Sequence, residues 1–407
     1  MSWARWCGNT YPCRPLTLSA EQRPMSSLFQ PWYAPAEPAV SARSVAHAIL
    51  PGIDDFVVVL KEYLGVDHCV LGSSGRALLC RLLTALRRKA GHERVRVLIP
   101  GYTCYSVAAS VARAGLEVAC YDLDPQTLLP DMDSVRAMAG QDTLAVVGQH
   151  LFGIATPMEG LRSVAHGVGA RLVEDAAQGL GGAGEGSTLG TMGDFGVFSF
   201  GRGKPLPLGG GGALVGSAEV MEATFPGSIP SGCLDLARAA ASGLLSHRRV
   251  YGMLEALPLG LGETVFEPGF AMGPMSRALQ GLGTCSLSEL RLLNAHRNAT
   301  ASIYREVLGG TGGSIDPRPG EAVYIRYPYM AGDNPIPEAL RRLGVRRMYP
   351  RAILDEPAIA PYRAAHTLPT PGASRIAQML VTLPTHRGID RELARTIAVA
   401  VKDAYSW

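Results

Sequence analysis

The sequence lacks the features that mark several classes of protein. Its 38 basic and 35 acidic residues leave a net charge of +3, and the two signs are interspersed, so no concentrated positive field predicts nucleic-acid binding. The cysteines are scattered without CxxC spacing or histidine partners, which predicts neither a metal site nor a disulfide framework and favours a reducing compartment. The eight cysteines are Cys7, Cys13, Cys69, Cys80, Cys104, Cys120, Cys233 and Cys285.

Long hydrophobic runs are also missing. Because no stretch of about 18 uninterrupted apolar residues occurs, no membrane-spanning helix is predicted. The N-terminus is polar and interrupted by proline, without the apolar core of a secretory signal, so we expect a cytoplasmic protein. Residues before Met25 show neither helical nor strand periodicity. We expect them to be disordered, or the start to be misassigned, within an N-terminal extension of residues 1–44.

From about residue 45 the chain alternates helical patterns with short apolar strands, which predicts βαβ units around a mostly parallel sheet and therefore an α/β fold. The predicted strands are 95–100, 116–124, 144–153, 170–177 and 195–200. The length suggests two or three domains. We expect a large domain over 45–266 and a smaller C-terminal α/β domain over 267–407, with a helix at 287–308 and a strand at 324–330.

Two carboxylates, Glu174 and Asp175, end the strand ARLVEDAAQG and are followed by Gln178. The carboxyl edge of a parallel sheet is where ligands bind, and a buried acid there needs a cationic partner. A pyridinium nitrogen is one such partner, and Asp175 would keep it protonated. Capping of the next helix explains the acid equally well when it is considered alone.

A lysine in a glycine-rich loop follows in DFGVFSFGRGKPLPLGGGGALV, where a predicted strand carries Ser199 and then Lys204. A lysine in a tight apolar loop loses hydration and its pKa falls, which suits a Schiff-base amine. The glycines at 209–212 would let the backbone approach a ligand closely. An ordinary solvated loop lysine is the alternative, and for one lysine out of context it is the commoner case.

Upstream, the segment HCVLGSSGRALLCRLLTAL joins a short strand to an amphipathic helix through Gly72, Ser73, Ser74 and Gly75. Backbone amides at the start of that helix, with two hydroxyls, predict a phosphate cradle. A serine that merely caps the helix is an equally good local explanation.

The order and spacing of these three motifs resemble the DegT/DnrJ/EryC1/StrS family of pyridoxal-phosphate sugar aminotransferases, within the fold-type-I aspartate aminotransferase superfamily. The resemblance covers roughly residues 60–215 and includes IPGYTCYSVAASVARAGLEVACYDLDPQTLLPD (99–131) and QHLFGIATPMEGL (149–161). Its most specific part is VEDAAQG, followed by FSF, three residues and a lysine. The resemblance implies a three-layer α/β/α large domain with a mostly parallel mixed sheet, pyridoxal 5'-phosphate as cofactor and a homodimer.

Residue by residue, the resemblance implies that Lys204 carries the cofactor as a Schiff base and transfers protons, and that Asp175 holds the pyridine nitrogen. It implies that Gln178 lies near the ring oxygen of the cofactor and that Ser199 contacts its phosphate. Ser74, Gly75 and Arg76 would form the phosphate cradle, although the family usually has threonine where this chain has Arg76. An arginine pairs with phosphate better than a hydroxyl does, or it points elsewhere.

Two departures from the family pattern concern the cofactor ring and the dimer. The family stacks an aromatic over the ring at the position of Cys104, so that role is vacant or passes to Tyr102 or Tyr105, which are as readily ordinary core residues. Family members also carry a G-x-N-x-R type segment whose asparagine reaches across the dimer. Residues 267–279 have neither that asparagine nor that arginine at those places, which leaves room for an unusual substrate.

An amphipathic insert near 234–266 lies where the family places much of its substrate wall. Its pattern indicates an amphipathic stretch that packs on its own core or on a dimer partner, or less commonly one that lies on a membrane surface or shapes a hydrophobic substrate channel. If the insert packs within the protein or the dimer, we expect a keto-sugar acceptor. The alternative is a non-sugar or lipid-like keto substrate that the enzyme meets at the membrane surface.

The implied reaction is a transamination in which an amino-acid donor, expected to be glutamate, aminates a keto-sugar, expected to be nucleotide-linked, for polysaccharide or glycoconjugate biosynthesis. A nicotinamide enzyme is disfavoured, because the G-x-G-x-x-G of residues 179–184 precedes a non-helical segment. A sugar dehydratase is disfavoured because that branch has histidine in place of Lys204. A non-enzymatic binding protein is the remaining alternative, and retention of Lys204, Asp175, Gln178 and Ser199 argues against it.

Overall fold

The computed structural model describes residues 32–36, 44–45, 55–245, 248–255, 264–315 and 322–405. The disorder expected before Met25 concerns residues outside these ranges. The end of the N-terminal extension is packed, because Trp32 is 4% exposed and its N–H donates to the Arg248 carbonyl at 3.0 Å.

Seven strands form the central sheet: β1 (His68–Gly72), β2 (Arg96–Pro100), β3 (Glu117–Tyr121), β4 (Thr143–Gln149), β5 (Arg171–Asp175), β8 (Phe195–Ser199) and β9 (Gly212–Gly216). Their spatial order is β1-β9-β8-β5-β4-β2-β3. Strands β8, β5, β4, β2 and β3 are parallel to one another, whereas β9 runs antiparallel to both of its neighbours, β8 and the edge strand β1. This arrangement confirms the predicted α/β fold with a mostly parallel mixed sheet. A two-stranded hairpin, β6 (Ala183–Gly184) and β7 (Ser187–Thr188), follows the G-x-G-x-x-G match where a dinucleotide site would need a helix.

Helices cover both faces of the sheet, because its strands are apolar on both sides. Successive side chains of β2 alternate between the two cores: Leu98 packs in one, and Val97 and Ile99 pack in the other. One face carries α2 (Gly75–Ala90) and α3 (Tyr105–Arg113), and the other carries α4 (Met132–Met138) and α5 (Glu159–Gly167). Helix α1 (Phe56–Leu64) packs on the strand β1 edge.

The C-terminal part is joined to the sheet by a buried carboxylate. Asp122, just after β3, accepts hydrogen bonds from the Gly372 and Ala373 amides at 2.9 and 2.8 Å, at the start of a helix. A carboxylate at this place satisfies amides that the helix itself leaves unpaired and complements the helix dipole. The elements of this part are α8 (Arg277–Leu287), α9 (Leu290–Leu308), β10 (Arg326–Met330), α10 (Glu338–Arg342), α11 (Pro371–Met379), β11 (Leu380–Pro384) and α12 (Arg391–Ala404). One hydrophobic core runs from Leu98 of the sheet to Val381, so the expected boundary between 266 and 267 stays a prediction.

Where the structure describes the insert, it forms two helices, α6 (Cys233–Leu245) and α7 (Arg248–Glu255), and residues 256–263 of the insert lie outside the described ranges. Glu255 pairs with Arg346 at 2.7 Å, which holds the end of α7 against the C-terminal part. Leu234 and Met253 are 62% and 54% exposed, whereas Ala239 is buried. No helix in the described ranges is long and apolar enough to cross a membrane.

Candidate active site

A cavity of about 220 Å³ opens at the carboxyl ends of β4, β5 and β8. Its wall combines the ends of these strands with the start of α2, the Lys204 loop and one residue of the C-terminal part, Tyr349. Parallel strands end at one edge of the sheet, which is why residues far apart in sequence converge there. The motifs predicted separately from the sequence therefore line a single cavity.

Asp175 ends β5 and faces this cavity. Its carboxylate accepts one hydrogen bond, from the Ala177 amide at 3.1 Å, and no described side chain donates to it. Burial raises the pKa of Asp175 above its usual value, while Lys204, the Ala177 amide and His150 act to lower it. A carboxylate in this situation favours a cationic ligand, because such a ligand offsets its loss of hydration.

Glu174, the neighbouring acid, has a structural role that sequence reasoning did not separate from that of Asp175. Its side chain is fully buried, with Oε2 2.8 Å from His150 Nε2 and 2.9 Å from the Gly190 amide that donates to it. The Gly193 amide donates to its other oxygen at 2.5 Å. Because adjacent strand residues point to opposite faces, Glu174 ties the strand end to the 187–193 loop while Asp175 faces the cavity.

His150 lines the cavity and was missed by the sequence reasoning as an individual residue. Its Nδ1 accepts the Thr156 amide at 3.2 Å, so Nε2 carries the hydrogen that Glu174 accepts. The segment QHLFG placed it at a strand end, but only the structure shows that it contacts Glu174.

Lys204 lies in the loop after β8 and lines the same cavity as Asp175. Among the described residues, no Asp or Glu side chain forms an ion pair with the Lys204 amine, unlike the usual case of a surface lysine. Among the glycines at 209–212, Gly212 has a packing role that the sequence did not indicate. A Cβ on Gly212 would lie 2.5 Å from the Gly75 nitrogen, so this glycine lets β9 pass close to the start of α2.

The residues predicted to form a phosphate cradle lie at the start of α2 and the end of β8. Ser74 caps α2, with its hydroxyl accepting the Ala77 amide at 3.3 Å. A Cβ on Gly75 would lie 3.0 Å from the Phe198 carbonyl, so glycine is needed for the helix start to reach β8. Ser199 lies beside Gly75 in the cavity wall. A helix N-terminus with an adjacent hydroxyl is an arrangement that binds phosphate.

Arg76, the third residue expected at the cradle, lines the cavity but is exposed. Its guanidinium lies 4.8 Å from the centre of the Phe270 ring. The Arg76 side chain therefore contacts Phe270, in the loop before α8.

The structure brings Cys104 to the cavity but neither Tyr102 nor Tyr105. Tyr102 is 1% exposed and packs on Tyr349 with ring centres 5.2 Å apart. Tyr105 is equally buried, and its hydroxyl is 3.1 Å from both the amide and the carbonyl of Arg351. Both tyrosines are core residues, which corrects the suggestion that one of them stacks on a cofactor ring.

Gln178 lines the cavity, and its amide orientation is determined by two neighbours. Its Oε1 accepts the Phe152 amide at 2.5 Å, so Nε2 is the atom that donates to the Tyr349 hydroxyl at 3.2 Å. Phe152 reaches Gln178 from a left-handed backbone conformation, with φ of +59°. Burial raises the pKa of Tyr349 well above its usual value, so the hydroxyl stays protonated. No local sequence signal marks Tyr349, because it lies 171 positions downstream of Gln178.

Comparison with known proteins gives a consistent result. The model of the DegT/DnrJ/EryC1/StrS aminotransferase family matches residues 47–402. An L-glutamine:2-deoxy-scyllo-inosose aminotransferase of Streptomyces kanamyceticus is 33% identical over 279 residues, which are 66% of this chain and 59% of that enzyme. The enzyme of that name from Micromonospora echinospora is 31% identical over 327 residues, 75% of this chain and 69% of its own length. The solved structure of DesI in the presence of its TDP-sugar product superposes with a TM-score of 0.69 and 25% identity, covering 92% of this chain and 93% of that one.

Proposed function

The chain belongs to the DegT/DnrJ/EryC1/StrS aminotransferase family, and from that premise we propose that it transfers the amino group of an amino acid to a keto-sugar, with pyridoxal phosphate as its cofactor. The observation that carries the proposal is the meeting of Lys204 and Asp175 in one cavity, beside a helix start suited to a phosphate.

The residues of the cavity fit pyridoxal phosphate. Asp175 has no cationic side chain hydrogen-bonded to it among the described residues, so it suits the ring nitrogen, and Lys204 suits the aldehyde carbon. The start of α2 at Ser74 and Gly75, with the hydroxyl of Ser199, suits the phosphate. Gln178 retains a second amide hydrogen, besides the one given to Tyr349, that suits the ring oxygen.

When bound, the cofactor supplies an electron sink that stabilises negative charge on the substrate carbon. Asp175 would hold a proton on the ring nitrogen, because a cation beside a buried carboxylate offsets the hydration that the carboxylate has lost. The Lys204 amine would accept the proton from the substrate carbon and return it to the adjacent carbon in each half of the reaction. Glu174 does not touch the reacting atoms in this scheme; it holds His150 and the 187–193 loop in place.

For the donor we expect glutamate. Two relatives are named as L-glutamine aminotransferases, so both amino acids belong in the test. For the acceptor those relatives name a keto-cyclitol, 2-deoxy-scyllo-inosose, while the solved relative holds a TDP-sugar product. We propose a keto-sugar or a similar polyhydroxylated ketone as acceptor, with the nucleotide-linked form as the first to try, and a homodimer as the working assembly.

The test is the visible absorption spectrum of the protein with pyridoxal phosphate, before and after each donor, beside Lys204→Ala. We expect a band that bleaches with glutamate or glutamine in the wild type. In Lys204→Ala no covalent band should form, whereas Arg88→Gln, altered on the exposed side of α2, should behave as the wild type. A band that persists unchanged in Lys204→Ala would refute the assigned role of this lysine. A wild type that no amino acid bleaches would refute the aminotransferase function.

A further inference from the structure

Three side chains that line the cavity carry a charge, and two of them already have a role. Asp175 and Lys204 are assigned to the cofactor. His150 also lines the cavity, but it is bonded to Glu174 through one nitrogen and to the Thr156 amide through the other. The third charged side chain is Arg76. Within the described part of the chain it is the cation of this cavity with neither a carboxylate partner nor an assigned role.

The position of Arg76 is determined by stacking. Its guanidinium lies 4.8 Å from the centre of the Phe270 ring, and Arg113 lies over the same ring at 4.7 Å. Arg113 also donates to the carbonyls of Pro268 and Phe270, which holds that ring in place. Stacking on an aromatic ring leaves the N–H groups of a guanidinium free to bind an anion in its plane.

The cofactor phosphate does not need this arginine. The start of α2 and Ser199 already supply a backbone cradle and a hydroxyl, and a helix N-terminus is itself attractive to phosphate. Arg76 is exposed and leans onto Phe270, so it lies on the solvent side of that cradle.

An amino-acid donor brings an anion to the same cavity. Its carboxylate is attached to the carbon that carries the amino group, so the group that binds it must lie within a few ångströms of the reacting centre. Arg76 lines the same cavity as Lys204 and Asp175, and its guanidinium presents the forked geometry that carboxylates prefer. We propose that Arg76 binds the carboxylate of the amino-acid donor, a proposal that rests on the function proposed above.

The test separates donor binding from cofactor binding in Arg76→Gln. The first readout is the dissociation constant of pyridoxal phosphate, measured by fluorescence titration. The second is the dissociation constant of glutarate, a dicarboxylate without an amino group, measured by calorimetry on the cofactor-loaded protein. The third is the rate of bleaching as a function of glutamine concentration, compared with 4-aminobutanamide, which is glutamine without its carboxylate.

We expect Arg76→Gln to weaken glutarate binding and to raise the KM for glutamine about ten- to hundredfold, the range for a lost hydrogen-bonded charge pair. The affinity for pyridoxal phosphate should change less than about threefold, because this proposal gives Arg76 no hydrogen bond to the cofactor. The rate with 4-aminobutanamide should not fall, because that amine has no carboxylate to bind. Arg76→Lys keeps the charge but not the forked guanidinium. Its KM for glutamine and its glutarate affinity should therefore lie between those of the wild type and those of Arg76→Gln.

Arg88→Gln is the matched control, since it removes the same charge from the same helix at an exposed position outside the cavity. A tenfold or larger loss of cofactor affinity in Arg76→Gln would overturn the proposal in favour of phosphate binding. Unchanged glutarate and glutamine binding would overturn it as well. Failure of the wild type itself to bleach with any donor would instead refute the proposed function.

Discussion

Asp175 and Glu174 are adjacent carboxylates, yet the structure predicts opposite results when each is replaced by its amide. Asp175→Asn keeps an oxygen for the single hydrogen bond from the Ala177 amide. It also removes a charge whose burial is unfavourable, as the raised pKa of Asp175 records. We expect the cofactor-free variant to be as stable as the wild type, or slightly more stable.

Glu174→Gln should behave in the opposite way. The buried carboxylate accepts hydrogen bonds from His150 and from two backbone amides, and an amide side chain has one acceptor atom instead of two. At least one of these donors then faces the NH₂ group of the new glutamine and has no acceptor inside the protein. Since an unsatisfied buried partner costs about 1–3 kcal/mol and more for a charged group, we expect a loss of about 3 kcal/mol in the free energy of unfolding.

Cofactor binding should reverse the order of the two variants. Removing one partner of a buried charge pair costs about 3–5 kcal/mol, so Asp175→Asn should weaken pyridoxal phosphate binding by about a hundredfold or more. Glu174→Gln keeps Asp175 and should retain most of the affinity at temperatures where it is folded.

The dependence on pH follows from the direction of the pKa shift. A carboxyl group whose pKa is raised in the folded state contributes stability that is present below its unfolded pKa of about 3.9 and is lost as the pH rises through the folded pKa. The cofactor-free wild type should therefore lose stability relative to Asp175→Asn as the pH rises from about 3.9 through the folded pKa of Asp175.

Urea unfolding of the cofactor-free proteins at several pH values, combined with spectroscopic titration of the cofactor, measures all of these effects. The reasoning is refuted if Asp175→Asn destabilises the cofactor-free protein as much as Glu174→Gln does. It is equally refuted if Asp175→Asn binds the cofactor as tightly as the wild type.

Three further predictions concern the cradle, the C-terminal part and its contact with the sheet. Gly75→Ala places a Cβ 3.0 Å from the Phe198 carbonyl, so we expect a loss of about 1–3 kcal/mol in thermal unfolding and weaker phosphate-dependent cofactor binding; unchanged affinity would contradict the cradle. Tyr349→Phe deprives the Gln178 amide of an acceptor and should lower cofactor affinity by about 1–2 kcal/mol in a fluorescence titration; an effect on stability alone would count against a role at the site. Asp122→Ala leaves two amides at the start of α11 without an acceptor and should cost about 2–4 kcal/mol in urea unfolding; no loss would mean that these bonds do not hold the C-terminal part.

The strands of the sheet were predictable because burial on both faces gives short apolar runs with glycine and proline between them. The predicted strand at 195–200 is observed as Phe195–Ser199, and the helix predicted at 287–308 as Leu290–Leu308. Asp175 and Lys204, which both line the cavity, were identifiable as candidate site residues because each stands at a strand end or in a glycine-rich loop that has little structural need for its charge. These are local properties, recorded within a few residues of each position.

Contacts between distant segments were not predictable in this way. Tyr349 reaches Gln178 across 171 positions, and nothing near either residue records the contact. Tyr102 and Tyr105 stand close to Cys104 in sequence, yet of these three residues only Cys104 lines the cavity. Local sequence determined which residue types stand at the ends of the strands, because secondary structure depends on near neighbours. The tertiary structure alone decided which of them face the cavity, because orientation depends on packing against segments that the chain brings from far away.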